Sequence, residues 1–134
     1  EIQSIEFQTY QIKPISTIKL FTIENKIEYT YKYLDRWFFD EYLEEAQTDD
    51  LVLVKSNYIT DCIYSNIIFF DGENWFTPRS ILLKGTMRES LLNDGKIKEK
   101  NIKVSDLVNY QSFKRINAMM NFDESQEISI LQLF

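Results

Sequence analysis

With 134 residues and 16.1 kDa, the chain holds material for one domain of ordinary size. Apolar residues at 44% and charged residues at 27% match a packed soluble domain and exclude wholesale disorder. Lys+Arg 15 against Asp+Glu 21, a net charge of −6, argue against a protein that neutralises nucleic-acid phosphates or anionic lipid. The sequence nowhere approaches the roughly 18–20 unbroken apolar residues of a membrane span, and its opening has no charged-then-apolar leader, so a soluble chain is expected.

The chain opens on Glu1, and EIQSIEFQTYQI spaces Ile5 and Phe7 like a strand in mid-sheet. The reading is that residues 1–12 end, or connect from, a preceding domain absent from this sequence, with the main domain over residues 13–134. After Pro14, STIKLFTI is a strand candidate rich in β-branched and aromatic residues. Glu24 to Lys26 form a polar turn, and IEYTYKY alternates Ile27, Tyr29 and Tyr31 against Glu28, Thr30 and Lys32. From Leu34 the period changes: LDRWFFDEYLEEAQ sets Leu34, Trp37, Phe38, Tyr42 and Ala46 on one face of an amphipathic helix.

QTDD ends that helix. LVLVK then reads as a short buried strand, SNY as a tight turn and ITDCIYSNIIFF as one long strand with an irregular start. DGEN is a hairpin turn into WFTP. A helix opens at Gly85 through GTMRESLLN and closes at Asn93-Asp94-Gly95. IKEKNIKV reads as a strand, Ser105-Asp106-Leu107 as a short helix start, and SFKRINAMM and QEISILQLF as closing strands. This strand-heavy order with three helices predicts an α+β fold and not a doubly wound parallel sheet.

Chemistry is constrained by what is missing. The chain has no histidine, which removes Ser-His-Asp and Cys-His catalysis and His-ligated zinc from this chain. Its single cysteine, Cys62, cannot close an intrachain disulfide, so a reducing, cytoplasmic setting is expected. It also has no base partner in the sequence and is not read as a nucleophile. No metal site is expected. A competent site must be built from Lys, Tyr, Asp, Glu, Thr or Asn, or from a borrowed cofactor.

Four segments stand out when taken together: Tyr31-Lys32-Tyr33-Leu34-Asp35-Arg36; Ile59-Thr60-Asp61-Cys62-Ile63-Tyr64-Ser65-Asn66 before Ile67 and Ile68; Thr77-Pro78 followed by Leu82-Leu83-Lys84-Gly85-Thr86-Met87-Arg88; and Ile116-Asn117-Ala118-Met119. Read singly, Lys32 is a surface lysine on an edge strand, Asp61 a turn-capping carboxylate, Gly85 an ordinary helix start and Asn117 a strand-end asparagine. In this order they resemble the C-terminal domain of the class IV, or fold-type IV, pyridoxal-phosphate enzymes. The resemblance runs from about Tyr10 to Phe122 and is nearest to the 4-amino-4-deoxychorismate lyase branch.

The resemblance implies a mixed, barrel-like β core with three helices, pyridoxal 5'-phosphate as cofactor, a small amino substrate and a homodimer. By it, Lys32 carries the cofactor through an exchangeable imine and then moves protons, a role that needs an amine whose pKa burial can lower. Asp61 faces the pyridine nitrogen and keeps it protonated, so the ring accepts electron density; the family usually has the longer Glu there. Gly85, Thr86 and Met87 seat the phosphate at a helix start. The family often has Gly-Ile-Thr-Arg at this point, so the threonine hydroxyl is displaced by one position. Asn117 and Ala118 offer a further phosphate contact, and Asn66 is read as structural support. The implied reaction releases 4-aminobenzoate and pyruvate in folate synthesis, with a branched-chain or D-amino-acid transaminase, or a catalytically inactive homologue or fragment, as the alternatives. The aromatic run Trp37, Phe38, Phe39 and Tyr42 is read as core or subunit interface. The lysines at 96, 98, 100 and 103 are read as a solvated strand face.

Overall fold

The computed structural model describes residues 14–23, 37–120 and 122–134. The expected strand at 1–12 and the boundary of the main domain, the turn at 24–26, the strand at 27–33 with Lys32, and the first turn of the helix at 34–36 all lie outside the described residues. STIKLFTI forms β1 (Ile18–Thr22), parallel to β2 (Asp50–Lys55). β2 pairs antiparallel with β3 (Tyr58–Cys62), completing a three-stranded sheet. The two-residue connection has Ser56 at φ 52° and Asn57 at φ 68°, the type I′ geometry whose twist suits a hairpin and which asparagine tolerates.

A second sheet, of five strands, has the order β6–β5–β4–β7–β8. Its members are β4 (Asn66–Phe70), β5 (Trp75–Pro78), β6 (Lys98–Lys100), β7 (Ser112–Ile116) and β8 (Glu127–Ser129). Side-chain alternation explains how the layers stack. On β2, Val52 and Val54 join Ile67 and Phe69 of β4 and Phe113 of β7 in one core between the sheets. Leu51 and Leu53 turn the other way, onto Phe39 of α1 (Trp37–Ala46). Ile68 of β4 likewise turns outward, with Ile116, onto Leu91 of α2 (Thr86–Asn93). Each sheet is thus covered by a helix on its outer face, an α+β arrangement as expected.

Three expectations are corrected. The run ITDCIYSNIIFF is two strands in two sheets, broken at residues 63–65, where the Cys62 N–H donates to the Ser65 carbonyl at 2.9 Å and closes a turn. IKEKNIKV is a strand only over Lys98–Lys100, and the helix after it is a 3-10 helix, Val104–Asn109. QEISILQLF pairs only through Glu127–Ser129; the Ser129 hydroxyl then accepts the Leu131 N–H at 3.3 Å and starts a second 3-10 helix, Ile130–Leu133, which buries Ile130 and Leu133. The lysines at 96, 98, 100 and 103 are exposed, as a solvated face requires. No helix among the described residues is long and apolar enough to cross a membrane.

Candidate functional site

The break between β3 and β4 puts Asp61 and Asn66 on either side of a tight turn, each 1% exposed. Both side chains reach the segment that leads into α2. Asp61 Oδ2 accepts the N–H groups of Leu82 and Leu83, each at 2.8 Å. Asn66 Nδ2 donates to the Leu83 carbonyl at 2.8 Å. Asp61 Oδ1 and Asn66 Oδ1 are buried and have no hydrogen-bond partner among the described residues. Burial pushes the Asp61 carboxyl up to about 6, against the lowering pull of the Leu83 and Leu82 amides, and the Arg88 charge is too weak to reverse it. A carboxylate with one oxygen anchored and the other buried without a partner gains strongly from a proton-bearing group that reaches it.

Beyond Leu83, Gly85 is the N-cap of α2 and offers no side-chain cap. The first bond closing the helix runs from the Glu89 N–H to the Gly85 carbonyl at 3.2 Å, so the amides of Thr86, Met87 and Arg88 precede the ladder. Open amides at the positive end of a helix are a seat for an anion. A cleft of ≈ 420 Å³ starts at Lys84, Gly85 and Thr86 and runs along α2 to Asn93 and Asp94. The Thr86 side chain is exposed beside it, whereas Met87 packs against the apolar cluster under α2 and contributes only its backbone.

Asp61 and the Gly85–Met87 turn are therefore joined by a strap of three residues, Leu82 to Lys84. Asn117 is tied in from another side: its Nδ2 donates to the Tyr64 carbonyl at 3.1 Å, and its Oδ1 accepts the Met119 N–H at 2.8 Å. Its side chain links the turn after β7 to the β3–β4 connection, and Ala118 stands exposed at the tip of that turn. Lys32 lies outside the described residues. Among the described residues, no group of three Cys, Asp or Glu side chains is placed to hold a metal ion.

Two anchors of the site had no role in the sequence reading. Arg88, 3% exposed, donates through one nitrogen to the Pro78 carbonyl at 3.2 Å and to Glu99 at 2.6 Å, pinning the first turn of α2 to β5 and β6. Beneath the β3–β4 connection, Arg115 of β7 pairs with Asp50 of β2 at 2.9 Å, both buried. Burial raises the Asp50 carboxyl while Arg115 opposes that shift. Burial also pushes the Cys62 thiol well up, which keeps it in the inert thiol form. An arginine three residues after a helix-opening glycine, with an acidic residue in the next strand, was the signal available for the first anchor.

The amino-transferase class IV family model matches residues 23–122. Over 120 residues the chain is 39% identical to an uncharacterized protein of Haemophilus influenzae, covering 89% of this chain and 63% of that one. Among solved structures, a candidate 4-amino-4-deoxychorismate lyase from Haemophilus somnus matches with a TM-score of 0.71 at 30% identity, over 84% of this chain and 58% of the other. A second candidate lyase, from Legionella pneumophila, matches with a TM-score of 0.66 at 16% identity, over 88% and 48%. A fold IV transaminase from Curtobacterium pusillum matches with a TM-score of 0.62 at 14% identity, over 84% and 43%. The last two share the fold. The chain spans about three fifths of the Haemophilus proteins it matches, 63% and 58%.

Proposed function

The chain belongs to the amino-transferase class IV family, whose members depend on pyridoxal phosphate, and on that footing we propose that it binds pyridoxal 5'-phosphate and acts as a 4-amino-4-deoxychorismate lyase, releasing 4-aminobenzoate and pyruvate. The observation that carries the cofactor half is the strap: a buried, unpartnered carboxylate oxygen at one end and an uncapped helix N-terminus at the other, three residues apart. A heteroaromatic ring bearing a phosphate needs both. The lyase half rests on the 30% identity to the Haemophilus somnus candidate lyase and on the Asn117-Ala118-Met119 run.

In this reading Asp61 would face the ring nitrogen and keep it protonated. Its burial strengthens that contact, because a lone carboxylate in a dry site gains more from a cationic partner than one in water. The amides of Thr86 and Met87 hold the phosphate, with the Thr86 hydroxyl as an added donor and Ala118 as the further contact; Asn117 shapes the turn that presents it. When bound, the cofactor supplies an electron sink for the negative charge that develops at the substrate carbon. Lys32 would hold the cofactor through an exchangeable bond; once the substrate amine displaces it, the freed amine would take the proton from the substrate carbon and, after the enolpyruvyl C–O bond breaks, deliver it to the carbon that becomes the pyruvate methyl. The same reading carries a homodimer in the cytoplasm serving folate synthesis.

Incubating the protein with the cofactor and 4-amino-4-deoxychorismate, without any 2-oxo acid, tests the assignment. Free pyruvate and 4-aminobenzoate in equal amounts are expected. Transfer of an amino group from a branched-chain or D-amino acid to a 2-oxo acid, with no pyruvate released, would instead make the chain a transaminase. A protein that holds the cofactor and performs neither reaction is an inactive homologue or fragment.

A further inference from the structure

We propose that Asn66 is a positioning residue that fixes the anion seat of α2 at a set distance from Asp61, so that the site discriminates for a ring carrying its phosphate over the same ring without one. This rests on the cofactor reading above. The Leu83 peptide is gripped from both sides: its N–H by Asp61 Oδ2 and its carbonyl by Asn66 Nδ2, each at 2.8 Å. Residues 82–85 lie in neither strand nor helix, so these side-chain bonds hold the strap where backbone ladders cannot. Two residues on, Gly85 packs against the same asparagine so closely that a Cβ there would fall 2.0 Å from Asn66 Oδ1. The first-turn amides of α2 follow directly.

The register of β4 does not depend on this side chain. Asn66 pairs through its backbone with Ile116 of β7, and any residue could make that pairing. What only the carboxamide supplies is a donor to Leu83 together with a small, flat surface against Gly85. Its buried Oδ1, unpartnered among the described residues, faces the helix cap, where a carboxylate would repel an incoming phosphate. Asparagine and not aspartate is therefore the residue type this position needs.

The test compares the wild-type chain with Asn66→Ala and the isosteric Asn66→Asp, which cannot donate to Leu83. In ligand-free protein, amide exchange at Leu82 and Leu83 is expected to quicken about tenfold in both variants, the scale of losing one net hydrogen bond, while Ile67 and Phe69 of β4 stay protected. Titrations with pyridoxal 5'-phosphate and with pyridoxal, read by absorbance, then separate the two ends of the site. Affinity for the phosphorylated form is expected to fall about tenfold or more, with pyridoxal affinity nearly unchanged. Equal weakening of both ligands, or unchanged Leu82 and Leu83 exchange, would overturn the assignment while leaving the cofactor reading intact. A wild-type chain that binds neither ligand would bring down the cofactor reading and this inference with it.

Discussion

Gly85→Ala tests the close approach at the head of α2. A methyl group there would meet Asn66 Oδ1 at 2.0 Å and Cγ at 3.2 Å, so the asparagine must retreat about 1 Å even to reach a tight 3.0 Å contact. It is 1% exposed and tied to Leu83, so retreat breaks that bond. Overpacking costs about 1–3 kcal/mol and the lost hydrogen bond about 1 kcal/mol. Gly85 sits at φ −86° and ψ 138°, where alanine is unstrained, and the stiffer unfolded chain returns about 0.4–1 kcal/mol. The net loss is about 2 kcal/mol, read as a lower urea midpoint at unchanged m, or as a Tm lowered by roughly 6–10 °C for a chain of this size. In an Asn66→Ala background the clash is gone and the same substitution should be close to neutral, a coupling of about 2 kcal/mol across the double-mutant cycle. An equal cost in both backgrounds, or no cost in the wild type, would refute the packing argument.

Asp61 makes stability depend on pH in an unusual direction. Its carboxyl is raised to about 6 from 3.8, so between those values the folded state binds more protons than the unfolded, and this group's contribution to stability falls as pH rises through the window. Asp61→Asn keeps an oxygen for the Leu82 and Leu83 amides and should flatten that slope, gaining on the order of 3 kcal/mol relative to wild type above pH 6; parallel pH profiles of the two proteins would contradict the assignment. Arg88→Met should lower stability by about 2 kcal/mol in chemical unfolding, less than a fully buried pair, because Glu99 is 38% exposed and recovers water. Arg88 holds the Glu99 carboxyl below its usual range, so the deficit should shrink as pH falls through that range, and a pH-independent deficit would point to packing alone. Asn117→Ala removes the bonds to the Tyr64 carbonyl and from the Met119 N–H and should cost about 1 kcal/mol, since water reaches the exposed Met119 end, with the largest amide shifts at residues 63–65.

The layers were legible where the hydrophobic period was clean. STIKLFTI, LVLVK and WFTP alternate or run apolar between turn residues, and each became a strand; GTMRESLLN carried its own stop in Asn93-Asp94-Gly95. The change of sheet at residues 63–65 was not legible, because ITDCIYSNIIFF contains neither glycine nor proline and reads as continuous β. Helix α1 shows a different limit. Neighbouring aromatics at 37–39 satisfy several phases of a 3.6-residue period, and the structure buries Phe39, 1% exposed, with Tyr42 and Leu43 beside it, where Tyr42 alone of these stood in the expected stripe. At the site, Asp61 and the Gly85 turn were found from residue type and order, but their connection through Leu82 and Leu83 was not, since backbone amides leave no mark in a sequence. The tail ILQLF has strand composition, but it forms a 3-10 helix that starts at the Ser129 cap and buries Ile130 and Leu133.

Borohydride reduction of the protein after incubation with pyridoxal 5'-phosphate, followed by peptide mass mapping, tests the cofactor assignment most directly. A single reduced adduct is expected on Lys32, lost in Lys32→Ala and weakened in Asp61→Ala. An adduct on Lys84, at the mouth of the α2 cleft, or no adduct at all, would contradict the assignment.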